Sequence, residues 1–278
     1  QNRSMYTEYQ PSHLLVPYID SYWEFKGNPD YGMRIHILPD GCTDFIFTLG
    51  EVANAVEEGS LIMQPYRSYF VGPMTKYSEL VTYTESIHMF GVRFLPCGLS
   101  CFTNLPLHEF VNSRVSTNEM KAVFDDTFIE KLGEQKHVTD RIRVVEEYLL
   151  AYLARHYQPA DSHVAMAVNM INHSKGKRSV RSLMDDVCLC QRHFERKFKH
   201  YTGFTPKEYS RIVKFKNAVE LLRTTTSANL LTTAVDAGYY DLAHFSKEIK
   251  SMSGNTSASF LSLTVPEETT LTYIEPQR

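Results

Sequence analysis

The chain of 278 residues contains no apolar run that approaches the roughly 20 residues needed to span a bilayer. Residues 1–4 also lack the apolar stretch of a secretory signal peptide. We therefore expect a cytoplasmic protein with no membrane partner. A hydrophobic content of 43% and a charged content of 22% are typical of globular proteins, and the length is sufficient for two domains, each with its own core.

Cysteine is scarce, with five residues, and an odd count provides no disulfide framework. Cys97 and Cys101 are close in sequence, as are Cys188 and Cys190, but neither pair is matched by a second Cys/His pair at the spacing of a zinc site. We expect reduced thiols that are mostly buried, as is usual for a protein of the cytoplasm.

Patterns of catalytic chemistry are missing as well. There is no glycine-rich phosphate-binding loop, and no Ser-His-Asp or Cys-His arrangement can be argued from the spacing of these residues. His36 and His88 do not form the clustered His-x-His pair with a carboxylate that a metal site would need. We predict no catalytic residues, no bound metal and no cofactor, and hence no enzymatic activity.

The net charge of −3 conceals two halves of opposite sign. Residues 1–162 hold 13 Lys and Arg against 21 Asp and Glu, whereas residues 163–278 hold 16 against 11. The basic residues are concentrated between positions 174 and 217, where 12 of them stand against 4 acidic residues. A solvated charged surface explains an arbitrary basic stretch equally well, so this charge points to nucleic acid only in combination with a helical motif.

The amino-terminal half alternates short β-rich segments with turn signals such as Pro39-Asp40-Gly41, from about residue 9 to residue 94. Several short strands at this spacing favour a β-barrel or a sandwich. From about residue 105 to residue 157, apolar residues instead recur every three or four positions, which indicates amphipathic helices. Such a helix packs against its own barrel or pairs with its copy in a homodimer, and the sequence leaves both open.

The most informative segment is residues 192–206, which predicts a helix, a turn and the start of a second helix. Phe194 and Phe198 are four positions apart, so they stack on one buried face and leave basic residues on the other faces. Gly203 is placed to end the helix, and Thr205-Pro206 to begin the next one. A short helix with an apolar seam and a cationic exposed face suits insertion into the major groove of DNA.

A second unit of this kind follows about forty residues later at 237–247, where Asp241 is placed to cap another short helix. The helix that begins at Pro206 separates the two units; its predicted length of about 16 residues spans roughly 24 Å. With its flanking turns, this helix can hold two recognition helices about one DNA turn, near 34 Å, apart. One chain can then enter two successive major grooves on the same face of a duplex.

Four motifs occur in order within residues 179–260. They are Arg192-x-Phe194-x-Arg196-x-Phe198-Lys199, Thr202-Gly203-x-Thr205-Pro206-x-x-Tyr209, Ala218-x-x-Leu221-Leu222 and Ala234-x-x-x-Gly238-Tyr239-Tyr240-Asp241-x-x-His244-Phe245. This part of the chain resembles the DNA-binding domain of the AraC/XylS family of bacterial transcription regulators. The resemblance implies a sequence-specific DNA-binding regulator. The resemblance places Arg192, Glu195 and Arg196 of the first recognition helix, and Leu242, Ala243 and Lys247 of the second, at base-reading positions. Gln191 and Lys199 are further candidates for DNA contacts in the first helix.

Some of these residues depart from a uniformly basic surface. Glu195 either forms an intrahelical pair with Lys199 or accepts a hydrogen bond from a cytosine amino group, and the sequence leaves both open. Leu242 and Ala243 offer only apolar contacts, for instance to a thymine methyl group. Thr233 stands where the family usually has an aliphatic core residue. We therefore expect the first helix to supply most of the affinity and specificity.

The amino-terminal half carries the motifs Pro17-Tyr18-Ile19-x-x-Tyr22-Trp23, Leu38-Pro39-Asp40-Gly41-Cys42-x-Asp44, Phe70-Val71-Gly72-Pro73 and Gly91-Val92-Arg93-Phe94-x-Pro96-x-Gly98. It resembles the cupin-like β-barrel sensory domains attached to some regulators of this family, which implies effector binding or dimerisation. Pockets for small molecules combine aromatic walls with a few polar groups. The ligand-binding candidates are Tyr22, Trp23, His36, Phe45, Tyr69 and Arg93. The alternative is that these aromatic residues form the core of the barrel.

We predict an α+β multidomain protein with three parts. They are a cupin-like β-barrel sensory or dimerisation domain at 5–115, a helical connector at 116–160 and an all-α double helix-turn-helix domain of the AraC type at 163–268. The family implies double-stranded promoter or operator DNA, a small-molecule effector, a second copy of the chain and, for an activator, RNA polymerase as partners. The alternative function is a metal-dependent cupin-like enzyme that carries a DNA-binding domain, and metal analysis of the purified protein discriminates between the two.

Overall fold

The computed structural model describes residues 5–50, 55–57, 63–120, 123–124, 126–187, 189–223, 230–260 and 271–274. Antiparallel strands form the amino-terminal part and helices the carboxy-terminal part, as predicted. The strands are β1 (Tyr6–Tyr9), β2 (Ile19–Gly27), β3 (Met33–Ile37), β4 (Thr43–Thr48), β5 (Ala55–Glu57), β6 (Ser68–Val71), β7 (Ser78–Thr82), β8 (Ile87–Phe94), β9 (Arg114–Ser116) and β10 (Leu271–Ile274). The helices are α1 (Asp126–Gly133), α2 (Val138–His156), α3 (Ser162–His173), α4 (Val180–Val187), α5 (Gln191–Thr202), α6 (Pro206–Arg223), α7 (Leu230–Asp236), α8 (Leu242–Ser253) and α9 (Ser257–Phe260).

The strands form two antiparallel sheets that face each other. The larger has the order β1-β2-β8-β4-β6-β9, and the smaller has the order β10-β3-β7-β5. Side chains alternate between the two faces of a strand, so Met89 of β8 faces the smaller sheet, whereas Phe90 and Val92 face α1 and α2. Since both faces of β8 are covered, it has a near-continuous apolar sequence in place of the alternation that a half-exposed strand shows.

The helices α1 and α2 cover the outer face of the larger sheet. The rings of Phe128 on α1 and Tyr148 on α2 lie 4.8 Å apart, and Phe47 of β4 lies 5.8 Å from Phe128. The buried guanidinium of Arg141 donates hydrogen bonds to the main-chain oxygens of Leu132, at 3.2 Å, and Gln135, at 2.5 Å. The apolar face of α2 therefore packs on its own β domain.

The strand β10 follows the helical part and returns to the β domain. It pairs with β3, with Thr272 opposite His36 and Tyr273 opposite Ile35. The sequence analysis predicted no strand here, because the two partners lie at opposite ends of the chain and no local pattern joins them. The predicted end of the DNA-binding domain at residue 268 lies outside the described residues.

The ends of α5, α6 and α8 follow local sequence signals. Thr205 and Glu208 form a capping box at the start of α6, because Glu208 Oε2 accepts from the Thr205 N–H at 2.7 Å and Thr205 Oγ1 accepts from the Glu208 N–H at 3.1 Å. Asp241 caps α8 by accepting from the His244 N–H at 2.7 Å. Gly203 ends α5 at a φ of +83°, in the left-handed region that favours glycine. The predicted caps are all present.

The helices α3 to α8 surround one hydrophobic core in which Phe194, Phe198 and Tyr209 are buried. Leu38 and Cys97, from the amino-terminal part, belong to the same core. The two halves of the chain therefore share an apolar contact. The predicted division between the helical connector and the DNA-binding domain stays a prediction. Among the helices that the structure describes, none has the length and apolar character that crossing a bilayer requires.

Candidate nucleic-acid interface

The helix α5 separates an apolar face from a polar face. Phe194 and Phe198 are fully buried, with ring centroids 5.6 Å apart. The opposite face carries the five residues predicted to contact DNA. Glu195 is half-buried, and the other four are exposed: Gln191, Arg192, Arg196 and Lys199. The structure therefore brings all five predicted side chains of the first recognition helix onto one accessible surface.

Two side chains of α5 are held by neighbours on the same helix. Glu195 Oε1 accepts a hydrogen bond from Gln191 Nε2 at 2.9 Å, and within the described part of the chain it makes no ion pair with Lys199. Arg196 lies with Nη2 3.1 Å from Nδ1 of His193. The pairing of Glu195 in the free protein is thus with Gln191, a partner that the sequence analysis did not weigh.

Lys197 lies away from this surface and ties α5 to the start of α3. Its Nζ donates to Oδ2 of Asp161 at 2.6 Å, and the other oxygen of Asp161 caps α3 by accepting from the N–H groups of His163 and Val164. Burial raises the pKa of Asp161, but the hydrogen bonds from Lys197 and from these N–H groups lower it overall, so that it ends below its usual value. Lys197 therefore stabilises the fold, a role that its position in the sequence does not reveal.

We expect Asp161→Asn to destabilise the fold by about 0.5 kcal/mol, because asparagine keeps the cap and loses the ion pair. Asp161→Ala loses both and should cost about 1–2 kcal/mol. The folded pKa is depressed, so the contribution of the charge is complete above the unfolded pKa near 3.9 and disappears as the pH falls through the folded pKa. Urea unfolding of the two variants and the wild type from pH 7 to pH 3 measures this. A wild-type advantage over Asp161→Asn that grows at low pH contradicts the assignment.

The helix α8 presents the second predicted surface. Leu242, Ala243 and Lys247 are all exposed, while Phe245 and Ile249 are buried on the opposite side. Sequence reasoning did not single out the neighbouring side chain of Tyr240, which is 91% exposed and immediately precedes the cap of α8. Its ring and hydroxyl are thus accessible beside the residues of α8 that are predicted to contact DNA.

Several cations that the sequence analysis counted as part of the basic surface instead fasten the second unit to the first. Arg211 of α6 pairs with Glu248 of α8, with Nε 2.5 Å from Oε2. Lys214 donates to the main-chain oxygen of Gly238 at 3.3 Å. Lys177 donates to the main-chain oxygen of Asp236 at 2.8 Å. These partners are far apart in sequence, so no local pattern distinguishes a fastening lysine from one that faces DNA.

The geometry is that of two short helices with polar exposed faces, joined by an α6 of 18 residues, which extends about 27 Å. Residues 183–262, which contain both, match a family described as a helix-turn-helix domain. The chain carries an AraC-type helix-turn-helix domain. It is accordingly a DNA-binding transcription regulator of the AraC type. Residues 7–116 match a second family, described as a domain of unknown function (DUF6597).

Solved structures with similarity to the chain include that of ToxT from Vibrio cholerae. It is 9% identical, with 92% of this chain and 96% of ToxT covered and a TM-score of 0.46. A structure of ToxT bound to an unsaturated fatty acid is 12% identical, over 94% and 96% of the two chains, with a TM-score of 0.43. A xylose-binding transcription activator, XylR, is 24% identical over 39% of this chain and 28% of its own, with a TM-score of 0.34. A search of curated proteins finds no match.

The amino-terminal domain of this AraC-type regulator has a small cavity of about 40 Å³ between its two sheets. Of the six predicted ligand-binding residues, Trp23 and Arg93 line it. Tyr69 lies in the same apolar core, and its hydroxyl accepts from the Gln64 N–H at 2.6 Å. Tyr22 and Phe45 lie on the opposite face of the larger sheet, against the helices. These last two therefore do not line the cavity.

His36, the sixth predicted ligand-binding residue, faces the DNA-binding domain. Its Nε2 lies 2.5 Å from Oε2 of Glu79, and its Nδ1 lies 3.2 Å from the main-chain oxygen of Ser253 at the end of α8. His88, weighed above as a metal ligand, lies 2.8 Å from Glu24 on the larger sheet. Among the described residues, no group of three or more His, Cys, Asp or Glu is arranged to hold a metal ion.

Arg93 is buried at the centre of a cluster of carboxylates. Its guanidinium nitrogens lie 3.2 Å from Glu8, 3.4 Å from Asp40 and 3.3 Å from Asp44. Trp23 Nε1 also donates to Asp44, at 2.6 Å. Burial raises the pKa of Asp44 to about 6, although Arg93 acts to lower it. With three carboxyl groups around one guanidinium, the cluster contains more acidic than basic groups.

A larger cavity, of about 320 Å³, lies between this cluster and α6. Its charged lining consists of Glu8, Asp20, Asp40 and Arg93 from the β domain and Lys216, Glu220 and Arg223 from α6. Desolvation would lower the pKa of Lys216, but Cys42, Asp40 and Asp20 raise it overall, so the amine stays charged. The cavity thus lies directly between a charged wall of the β domain and the helix that connects the two helix-turn-helix units.

Proposed function

We propose that α5 and α8 enter successive major grooves of one DNA duplex and that Gln191, Arg192, Glu195, Arg196, Lys199, Leu242, Ala243 and Lys247 contact it. The observation that carries the proposal is that these side chains lie on the polar faces of two recognition helices, both accessible, which precede and follow α6 in the chain. A duplex repeats about every 34 Å. An α6 of about 27 Å with its flanking turns suits that spacing.

The side chains divide by chemistry into base contacts and phosphate contacts. Arg192 and Arg196 can each bond two acceptors of a guanine edge. Lys199 and Lys247 are flexible single charges that suit phosphates. Leu242 and Ala243 add only apolar contact, for instance with thymine methyl groups. We therefore assign most of the base discrimination to α5.

Selection of bound sequences from random duplex DNA by the full chain tests this assignment. We expect a motif that is sharp over one half and shallow over another half about ten base pairs away. The full chain is used because Leu38 and Cys97 complete the core of the DNA-binding domain. A motif with two equally informative halves would contradict the division of roles, and selection without enrichment would contradict specific binding.

We further propose that a small molecule controls DNA binding through the cavity between the β domain and α6. Ligand cavities usually measure about 300–1,000 Å³, a range that includes the 320 Å³ found there. The cavity between the sheets, at 40 Å³, has room for only about three water molecules. A ligand beside Lys216 and Asp40 contacts both halves of the chain, so its binding energy can depend on how they are arranged.

Thermal unfolding of the full chain with a panel of sugars, amino acids and fatty acids tests this site. A ligand at 100 times its Kd should stabilise the wild type by about 2.7 kcal/mol. Lys216→Met should abolish the stabilisation, and Trp23→Phe, in the cavity between the sheets, should leave it unchanged. The reverse pattern would place the ligand between the sheets.

Other parts of the function follow from DNA binding. A regulator of this type has to reach the chromosome, so we propose a cytoplasmic location, and since it acts by binding we assign it no catalytic activity. RNA polymerase, as the partner of an activator, and a homodimer stay predictions.

A further inference from the structure

One loop of the β domain touches the ends of both recognition helices. It comprises residues 72–77 and joins β6 to β7. A Cβ placed on Gly203, at the end of α5, would lie 2.5 Å from Cγ of Pro73. A Cβ placed on Gly254, at the end of α8, would lie 2.6 Å from Cζ of Tyr77. Both glycines end their helices at positive φ, +83° and +78°, so the loop packs on the two equivalent positions of the doubled motif.

The loop is itself held firmly on the β domain. The Asn112 N–H donates to the main-chain oxygen of Pro73 at 2.8 Å, and Asn112 Oδ1 accepts from the Thr75 N–H at 2.8 Å. Asn112 Nδ2 donates to Thr75 Oγ1, also at 2.8 Å. Met74, between them, is buried in the core between the two sheets. A loop with these attachments has little freedom of its own.

Neighbouring residues extend each contact. On the α5 side, the 3₁₀ turn Leu107–Phe110 packs against the helix, and the rings of His108 and His200 lie 6.3 Å apart. On the α8 side, the ring of Tyr77 stacks on His36 at 5.0 Å, and His36 reaches the main-chain oxygen of Ser253.

Phe245 and Ile249 of α8 belong to the apolar core that the two units share, and the polar links between α6 and α8 add little to this packing. Arg211, the partner of Glu248, has a side chain that is 43% exposed, and exposed ion pairs contribute about 0–1 kcal/mol. Pro73 is buried and Tyr77 half-buried, so their packing is better protected from water.

We infer that loop 72–77 positions the two recognition helices relative to each other, with Pro73 and Tyr77 as positioning residues. The β domain is then part of the unit that reads DNA, because helices already held at the spacing of two grooves lose less conformational entropy on binding. The inference rests on the proposed function, in which both helices bind one duplex.

Distances between spin labels on the full chain test the positioning without DNA. Cys188 and Cys190 are replaced by serine, and labels are placed on cysteines at the exposed positions Lys199 of α5 and Lys250 of α8. We expect a narrow distance distribution that Tyr77→Ala broadens. Tyr77→Phe, which keeps the ring, serves as the matched control and should leave it narrow. The same distribution in all three proteins would overturn the inference and assign the geometry to α6.

Pro73→Ala provides an independent variant if Tyr77→Ala reduces the folded fraction, as judged by thermal unfolding. It removes ring atoms that face Gly203 and keeps the main-chain oxygen that accepts from Asn112. We expect it to broaden the same distribution, and no change would count against the loop.

DNA binding by the unlabelled chain supplies the functional measurement. Tyr77→Ala should bind a site with both halves roughly 2- to 30-fold more weakly, and a site with only the α5 half as well as Tyr77→Phe does. A gain in affinity would overturn the inference, because it would show that the loop opposes binding. If Tyr77→Phe itself binds no DNA specifically, the proposed function fails, whereas the label distances still decide the role of the loop.

Discussion

Replacing Arg192 or Arg196 by alanine is expected to weaken binding of the full chain to its selected DNA site by about 1–3 kcal/mol each. This corresponds to roughly 5- to 150-fold in Kd. Both side chains are exposed on the polar face of α5, and burial of Phe194 and Phe198 fixes the direction in which that face points. A guanidinium that bonds two acceptors of one guanine loses both bonds when the base is changed, so the loss on random DNA should be small.

Two controls separate base contacts from general charge. Lys199→Ala should weaken specific and random DNA to a similar extent, because a phosphate contact carries no sequence information. Arg155→Ala removes an equal charge from the exposed last turn of α2, which belongs to the amino-terminal half of the chain. This variant should change neither affinity. Isothermal titration or fluorescence anisotropy, at one salt concentration, measures the affinity of each of the four variants for specific and for random DNA. Equal losses on specific and random DNA for both arginines would remove them from base recognition.

Raising the salt concentration from 50 to 200 mM should lower the affinity for DNA about 1,000-fold if some six phosphates are neutralised. The basic residues of the carboxy-terminal part supply this contact, although the whole chain has a net charge of −3. Because Lys197, Arg211 and Lys214 are engaged in structural hydrogen bonds, they should contribute little to the salt dependence.

The slope of log Kd against log salt measures this effect, and single variants assign it. Lys199→Ala or Lys247→Ala should each reduce the slope by about one. Lys214→Ala should leave the slope unchanged and reduce stability. A slope near zero for the wild type would contradict phosphate binding by these helices, and an equal reduction with Lys214→Ala would show that its contact to Gly238 is broken when DNA binds.

The local features of the DNA-binding domain could be predicted from the sequence because they depend on residues three or four positions apart. Phe194 and Phe198 mark the buried face of α5, Thr205 and Glu208 cap α6, and Asp241 caps α8. In each case the helix geometry alone brings the groups together, with no contribution from the rest of the chain.

The β domain could be predicted only in part. Trp23 and Tyr22 are adjacent in β2 and must face opposite sides of the sheet, so strand alternation argues against the predicted pocket that both would line. Which of them faces the cavity could not be predicted, because the larger sheet is apolar on both faces. The helices α1 and α2 cover one face and the smaller sheet covers the other.

The sequence by itself determined the AraC-type helix-turn-helix domain, its two short exposed helices and the residues on their polar faces. Only the tertiary structure decided which cations fasten helices together, as Lys197 does with Asp161 and Arg211 with Glu248, and that Pro73 and Tyr77 reach the ends of both recognition helices. The physical reason is the range of the interactions. Helix caps and apolar periodicity act within one or two turns, whereas ion pairs and packing between domains depend on the folded path of the whole chain.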